Sequence, residues 1–435
     1  MAVNKAGILK ALFPMALFCL LGLPFSLRAQ NGLLSPYSAF GAGTMQSYLN
    51  VRNMSMGGIA VGLSAPGDMN PFNPATYRTG VDTLSVRFDV GFNLGMNRLG
   101  QNLSGEKLHN QSTSGGLSNL EFYFPVCKWY KMAVYLMPVT EMNYRSSYFS
   151  DSIPHIGKTQ LIHSGDGGVS KAGWGHAFGW GPVSVGVNLS YMFGKIEKDA
   201  TLSYLDDSLA AYAGKARYYT ETKLNGFSAD LGITYAARVY KDHYLTFGGA
   251  YSFAATLYGK RTTMAAGVFS SVTDTAFLPD AESRGKVVLP SSVRAGISYE
   301  RRGQYVVGVD FTYTWWKDFS DYGKVYDYFD NTFSINAGAE LKNDPQAASK
   351  ARRVAYRIGG FYQQQCVSYD GHRLQSFGLS VGVGIPVRKS RSLINIGVQY
   401  GKTGSLNLGQ IREDYLRIGV SFSSVETWFV KPKYD

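Results

Sequence analysis

The chain has 435 residues, a formal net charge of +12, 30 Tyr, 25 Phe and 50 Gly, and only 17% charged residues. Its Lys and Arg are scattered and build no basic stripe, which argues against nucleic acid as a partner. Beyond residue 30 no window offers the roughly 18–20 consecutive apolar residues of a transmembrane helix, so the composition points to strands whose two faces meet different solvents.

Lys5 and Lys10, an apolar run from Ile8 to Leu23 containing Pro14, and the polar end Leu27-Arg28-Ala29 read as a secretory signal peptide over residues 1–29, cut before Gln30. Cys19 lies inside the apolar run without the small residue that precedes a lipoprotein cysteine, so no lipid anchor is expected. Loss of Lys5, Lys10 and Arg28 lowers the charge from +12 to +9 and leaves Cys127 and Cys366, which are expected as free thiols on strands far apart in sequence.

Residues 30–81 form the first unit of the mature chain. Ser35-Pro36-Tyr37-Ser38, Gly41 and Gly43 show no strand period. From Arg52 to Ala75 the sequence is apolar enough to be buried, yet Gly57, Gly58, Gly62, Pro66, Gly67, Pro71 and Pro74 interrupt every regular period. A buried irregular segment needs surroundings that hydrogen-bond its backbone. Residues 82–435 are expected to supply them as an all-β, transmembrane antiparallel barrel of about 14 strands, with the segment as a plug in the lumen.

Period-two patterning places the strands near 82–98, 116–128, 130–147, 167–181, 182–200, 217–240, 243–261, 286–302, 304–320, 330–341, 352–366, 373–388, 391–403 and 412–424. In the twelfth, Phe377, Leu379, Val381, Val383 and Ile385 alternate with small residues, and in the ninth Tyr305, Val307, Val309, Phe311, Tyr313 and Trp315 repeat the pattern. An apolar face of this kind fits a soluble sandwich core or a lipid-facing wall equally. Connection lengths favour the wall. Short links at Lys128-Trp129, Gly181-Pro182, Lys241-Asp242, Arg302-Gly303 and Arg388-Lys389-Ser390 alternate with longer ones at 99–115, 148–166, 201–216 and 262–285. The links at 343–350 and near Asp370 break the rule. Trp428 and Phe429 at the close of the last strand suit an interfacial girdle, the barrel rim, or recognition by barrel-insertion machinery.

Catalytic and metal chemistry find little support. None of His109, His155, His163, His176, His243 and His372 sits in a nucleophile motif, three fall in expected outer loops, and no metal-ligand spacing emerges. Asp166-Gly167-Gly168 and Asp206-Asp207 carry acids of the kind that bind calcium, although loop acids are ordinarily just solvated. Trp315-Trp316 would put adjacent indoles on opposite faces of the ninth strand, with girdle packing the simpler use. Neither an enzyme nor a cofactor is expected.

Met56-Gly57-Gly58 followed by Asn73-Pro74-Ala75, after a signal peptide and ahead of about 14 strands, resembles the FadL family of outer-membrane transporters for long-chain fatty acids and other hydrophobic compounds. The resemblance implies that the N-terminal segment is a hatch with Asn-Pro-Ala near its packing turns, and that ligand leaves sideways beside a kinked third strand. Pro138 follows the apolar run Ala133-Val134-Tyr135-Leu136-Met137 on the third expected strand, and a residue without an N–H breaks a ladder locally. Met56, Gly57, Gly58, Asn73, Pro74, Ala75 and Pro138 are therefore the candidate gating residues. The chain departs from the family in lacking a long amphipathic helical pair in its loops.

The expected function is passive uptake of a hydrophobic small-molecule ligand across the outer membrane of a Gram-negative bacterium, in contact with outer-membrane lipid. Two further classes stay open. One is a non-transporting barrel that acts as a secretion or envelope-assembly partner; the other, a barrel enzyme, lacks a motif.

Overall fold

A computed structural model describes residues 34–428 apart from 47–49, 64–69, 81–84, 104–105, 154–156, 206–214, 270–271, 343, 345–348, 350, 370, 388–390 and 407–409. The signal peptide, Asp206-Asp207, His155 and Phe429 lie outside the described residues.

Fourteen antiparallel strands follow one another around a closed barrel. They are β1 (Ser85–Leu103), β2 (Glu106–Pro125), β3 (Tyr130–Ile153), β4 (Gly157–Trp180), β5 (Val183–Tyr204), β6 (Lys215–Tyr240), β7 (His243–Ser252, continued by Ala255–Phe269), β8 (Val272–Leu289, continued by Ser292–Arg301), β9 (Tyr305–Thr314), β10 (Thr332–Leu341), β11 (Ala355–Tyr369), β12 (His372–Pro386), β13 (Leu393–Thr403) and β14 (Arg412–Thr427). β14 closes on β1 from Arg412↔Gly100 to Thr427↔Ser85. The interruption in β8 falls at Pro290, which has no N–H to give to a ladder.

The distribution of side chains is that of a membrane barrel rather than a sandwich. The alternating apolar face points outward, with Leu379 71% and Phe227 77% exposed, while the inward face buries Asp89, Asn188, Asp230, Asp310, Glu340 and Arg357. A soluble protein would expose the second set and hide the first.

Three expected features are corrected. The spans at 99–115, 148–166 and 262–285 are largely strand, and in 201–216 the residues 201–204 and 215–216 are strand, because β1–β8 continue past the apolar belt as paired hairpins. His109 and His163 accordingly sit on strands rather than in loops. The ninth strand ends at Thr314, so Trp316 is not a strand residue; it lies in a 3-10 turn and is buried with Phe319 and Phe329. Asp166-Gly167-Gly168 belongs to β4, where both glycines hold positive φ. Cys127 and Cys366 are both free.

Residues 50–63 and 70–77 pack against the inward face of the wall, which is cut away to receive them. Cross-strand glycine pairs line it: Gly186↔Gly232, Gly248↔Gly296, Gly338↔Gly359, Gly382↔Gly397 and Gly397↔Gly419. A Cβ at Gly248 would stand 2.0 Å from the Val61 carbonyl oxygen, and one at Gly338 2.2 Å from that of Met56. Overpacking of this kind costs about 1–3 kcal/mol. Gly248→Val should therefore leave the barrel intact but free the N-terminal segment, giving tryptic cleavage at Arg52 or Arg78 while the barrel keeps its heat-modifiable migration on gels. Gly116→Ala, where an added Cβ meets nothing within 4 Å, should change neither readout.

Candidate functional site

The N-terminal segment is held by polar groups of the wall. Helix α1 (Val51–Ser55) is capped by Asn50, whose side chain accepts from the Asn53 N–H at 2.9 Å. Its single charged residue, Arg52, donates through Nε to Glu340 Oε2 at 2.8 Å and through Nη2 to Oε1 at 3.0 Å. Arg357 Nε donates to the same carboxylate at 2.6 Å, and its Nη1 reaches Asn395 Oδ1 at 2.9 Å. All three ions are buried. A charge in such a place is tolerated only with bonded partners, and the bidentate fork supplies them.

The two sequence motifs are docked on different parts of the wall. Gly57 and Gly58 take φ of +70° and +94°, conformations that cost a residue with a Cβ. The Gly57 N–H donates to Ser380 Oγ at 2.8 Å, and its carbonyl accepts from Asn336 Nδ2. Next along the chain, the N–H groups of Ala60 and Val61 both donate to Asp310 Oδ2, at 2.5 and 2.7 Å, and Ser298 Oγ donates to the Gly62 carbonyl at 2.7 Å. Asn73 then closes the segment on itself: its Nδ2 donates to the Val61 carbonyl at 2.8 Å and its Oδ1 accepts from Ala75 N–H at 3.2 Å. Pro74 and Ala75 lie against Gly186, and Pro74 also meets Gly232. In helix α2 (Tyr77–Gly80), the Tyr77 hydroxyl donates to Asn188 Oδ1 at 2.9 Å. Burial pushes that phenol well above the ordinary tyrosine range, so it remains a donor.

Pro138 stands apart from both motifs, at a fault in the wall. β2 pairs with β1 from Glu106 to Tyr123, and β3 with β4 from Tyr130 to Ile153. The β2–β3 ladder, by contrast, runs only from Leu120↔Leu136 to Pro125↔Lys131. Two residues beyond its end comes Pro138, followed by a register shift before Thr140. The edge of β3 left open there is taken by the two-residue strand Thr44–Met45, in the register Thr44↔Glu141 and Met45↔Thr140. Gln46 N–H to the Val139 carbonyl at 2.9 Å and Ser35 N–H to the Asn143 carbonyl at 2.8 Å extend this contact. Phe72, beside the Asn-Pro-Ala turn, packs against Tyr135 and Met137, which ties that turn to the strand carrying Pro138.

Toward the long-loop end, residues 316–329 fold inward. Trp316, Phe319 and Phe329 join Ala42, Met142, Ile196, Leu224, Leu257 and Val287 in one apolar cluster, and Ser320–Asp321 pairs with Val287 and Val288 of β8. A cavity of about 440 Å³ borders the cluster at Ala42, Ile196, Leu224, Val287 and Phe319. A larger one, about 1140 Å³, lies among the extended β3–β6 strands and carries Arg145, Lys195, Glu197, Asp199 and Arg217 on its walls.

Sequence reasoning missed Thr44–Met45, the Arg52–Glu340–Arg357 triad and Asp310. The four charged residues did leave a signal: each is a charge at a position whose strand or apolar-segment neighbours call for burial.

These features define a transmembrane β-barrel whose N-terminal segment is packed inside its wall. Residues 9–435 match the BamG family, and the chain belongs to that family. No curated protein matches it in sequence. Its fold is similar to that of FadL-type channels. The CymD monoaromatic hydrocarbon channel is 16% identical at a TM-score of 0.55, with 88% of this chain and 99% of that one covered. The P. putida toluene transporter TodX is 15% identical at 0.55, covering 88% and 100%. A Pseudomonas aeruginosa FadL homologue is 13% identical at 0.55, covering 89% and 100%. The resemblance to FadL proteins is thus one of fold, whereas the family is BamG.

Breaking a buried ion pair by removing one partner costs about 3–5 kcal/mol. Glu340→Ala should lower the urea stability of the barrel in detergent by that order, since it strands two guanidiniums at once. Adding Arg52→Met should recover part of the loss.

Proposed function

We propose that the protein is an outer-membrane channel for passive movement of hydrophobic small molecules, with residues 30–81 as its hatch and a lateral exit between β2 and β3 beside Pro138. The observation that carries this reading is the β2–β3 seam, unpaired beyond Leu120↔Leu136, where among the described residues the β3 edge is covered by the short strand Thr44–Met45 and the hydrogen bonds of Ser35, Ser38 and Gln46 beside it. Two ladder residues make a weak closure, while the lower part of the segment is fixed by ionic and glycine-docked contacts. Opening would start at Thr44–Met45 and spread through Phe72 to the Asn73-Pro74-Ala75 turn. Met56, Gly57 and Gly58 would act as the fixed end of the hatch. The cargo class is suggested by the apolar wall that Ala42, Ile196, Leu224, Val287 and Phe319 give to a cavity whose other walls carry Lys198, Asp199, Arg261 and Asp321; affinity at that wall would come from burial at about 25 cal/mol per Å². Long-chain fatty acids are the cargo we favour, and the named hydrocarbon and toluene channels of similar fold support the class.

A second reading, a non-transporting partner barrel in envelope assembly, is favoured by two observations. Trp316, Phe319 and Phe329 of the chain's own inserted loop are buried in an apolar cluster against the inward face of the wall, and the family name BamG points toward barrel assembly.

A reversible lock separates the two. In a Cys127→Ser, Cys366→Ala background, Met45→Cys with Thr140→Cys would place thiols on paired residues. Oxidation is expected to stop fatty-acid or toluene flux into liposomes, and reduction to restore it. Pro138→Ala is expected to extend the β2–β3 ladder and slow flux without affecting barrel stability. Flux indifferent to both changes would remove the lateral route, and an absence of flux together with co-purifying envelope proteins would establish the partner reading.

A further inference from the structure

At the short-turn end of the barrel, opposite the loop that fills the lumen, a cavity of about 440 Å³ wraps the end of β6. Three arginines from three separate elements line it: Arg78 from α2, Arg238 from β6 and Arg302 from the β8–β9 turn. Among the described residues no Asp or Glu lines it. Each guanidinium is oriented by a neutral group. Arg78 lies flat across Gly179, where a Cβ would come within 2.0 Å of its Cδ, and donates through Nη1 to the Gly181 carbonyl at 2.7 Å. Arg238 Nε donates to the Lys241 carbonyl at 2.5 Å. Arg302 stacks over the Tyr244 ring, 3.7 Å from its centroid.

A guanidinium has five N–H donors, and one carbonyl bond leaves most of them free. Three like charges around one cavity repel each other unless an anion joins them. Four buried cations of the inward face are treated differently: Arg52, Arg357, Lys171 and Lys342 each have a built-in carboxylate. We propose that this cavity is a binding site for a phosphate-bearing anion, taken from a phospholipid headgroup or from free phosphate. Planar forks converging on a tetrahedral oxyanion are the geometry arginine serves best. The headgroup is the better supplied source. Tyr235 lines the cavity and is also 47% exposed on the outer face, and Trp180 and Tyr240 stand exposed beside it. Aromatics of that kind mark the level of lipid headgroups, so the cavity opens where phosphates are concentrated.

The test uses the full mature protein in phosphate-free maltoside detergent, with native mass spectrometry and calorimetry. Dioctanoyl phosphatidylglycerol and inorganic phosphate are the two probes. One phospholipid per barrel, not displaced by millimolar phosphate, identifies the headgroup; tight binding of phosphate that competes with lipid identifies the free anion. Arg238→Gln with Arg302→Gln should weaken either ligand by at least about tenfold per arginine, as expected for lost charge-assisted hydrogen bonds. Lys324→Gln, on the distant inserted loop, should change nothing. Arg238→Lys with Arg302→Lys keeps the charge and loses the fork, and should fall between wild type and the Gln pair, which gives a second reading if the Gln pair folds poorly. Failure to bind either probe, or wild-type affinity in the substituted proteins, would overturn the site.

Discussion

An irregular backbone buried away from water must have its N–H and C=O groups bonded, and no other requirement shapes so much of this molecule. Past helix α1, residues 56–63 cannot satisfy all of these groups themselves, because Gly57, Gly58 and Gly62 interrupt any helix or ladder. The wall does it for them. Asp310 takes two consecutive N–H groups, Ser380 and Asn336 take both sides of Gly57, and Ser298 takes the Gly62 carbonyl. These contacts need backbone-to-backbone approach, and the paired inward glycines permit it. The barrel's inner surface is thus specified by the segment as much as the reverse.

From this follows a gradation in how firmly the segment is held. Around α1 the grip is ionic and doubly bonded, through the Arg52–Glu340–Arg357 triad. Around Asn73 it is a set of neutral hydrogen bonds. Around Thr44–Met45 it is two ladder residues on a strand edge, with neutral hydrogen bonds between Ser35, Ser38 and Gln46 and the same strand. This attachment coincides with the place where β2 and β3 part.

The sequence showed the barrel, its strand number and the lipid-facing set, because outward residues such as Leu379 and Val309 alternate against small or polar neighbours under a strict period of two. It did not show the strand extensions. Above the apolar belt both faces of a hairpin meet water, so residues 106–115 or 157–165 carry no hydrophobic alternation even though they are fully paired. The site was legible in part. Gly57, Gly58 and Asn73-Pro74-Ala75 declared themselves through turn chemistry, and Pro138 through its missing N–H. The partners that hold them, Asp310, Glu340 and Ser380, lie some 250–320 residues away, and no local pattern encodes contacts of that range. Trp316 was misplaced for a related reason: its neighbours look like strand, but Phe319 and Phe329 pull it into the lumen.

A shared fold does not decide between carrying a solute and holding a partner, so the weight falls on what occupies the lumen. In this chain the space is divided. The cavity of about 1140 Å³ among β3–β6 has charged walls, the apolar cluster around Ala42 and Val287 is packed with Trp316, Phe319 and Phe329, and the β3 edge at the seam is paired by Thr44–Met45. A hydrophobic solute moving from the cavity to the seam would have to replace Phe319 and Phe329 contacts with its own. That exchange is close to neutral in burial, since apolar surface is covered before and after. A charged or strongly polar solute could not make it, because it would leave the cluster exposed to no compensating partner. The inserted loop therefore acts as a selectivity element under the channel reading, and as a permanent core under the partner reading. The same aromatic contacts serve both, and what separates them is whether the loop exchanges with a ligand.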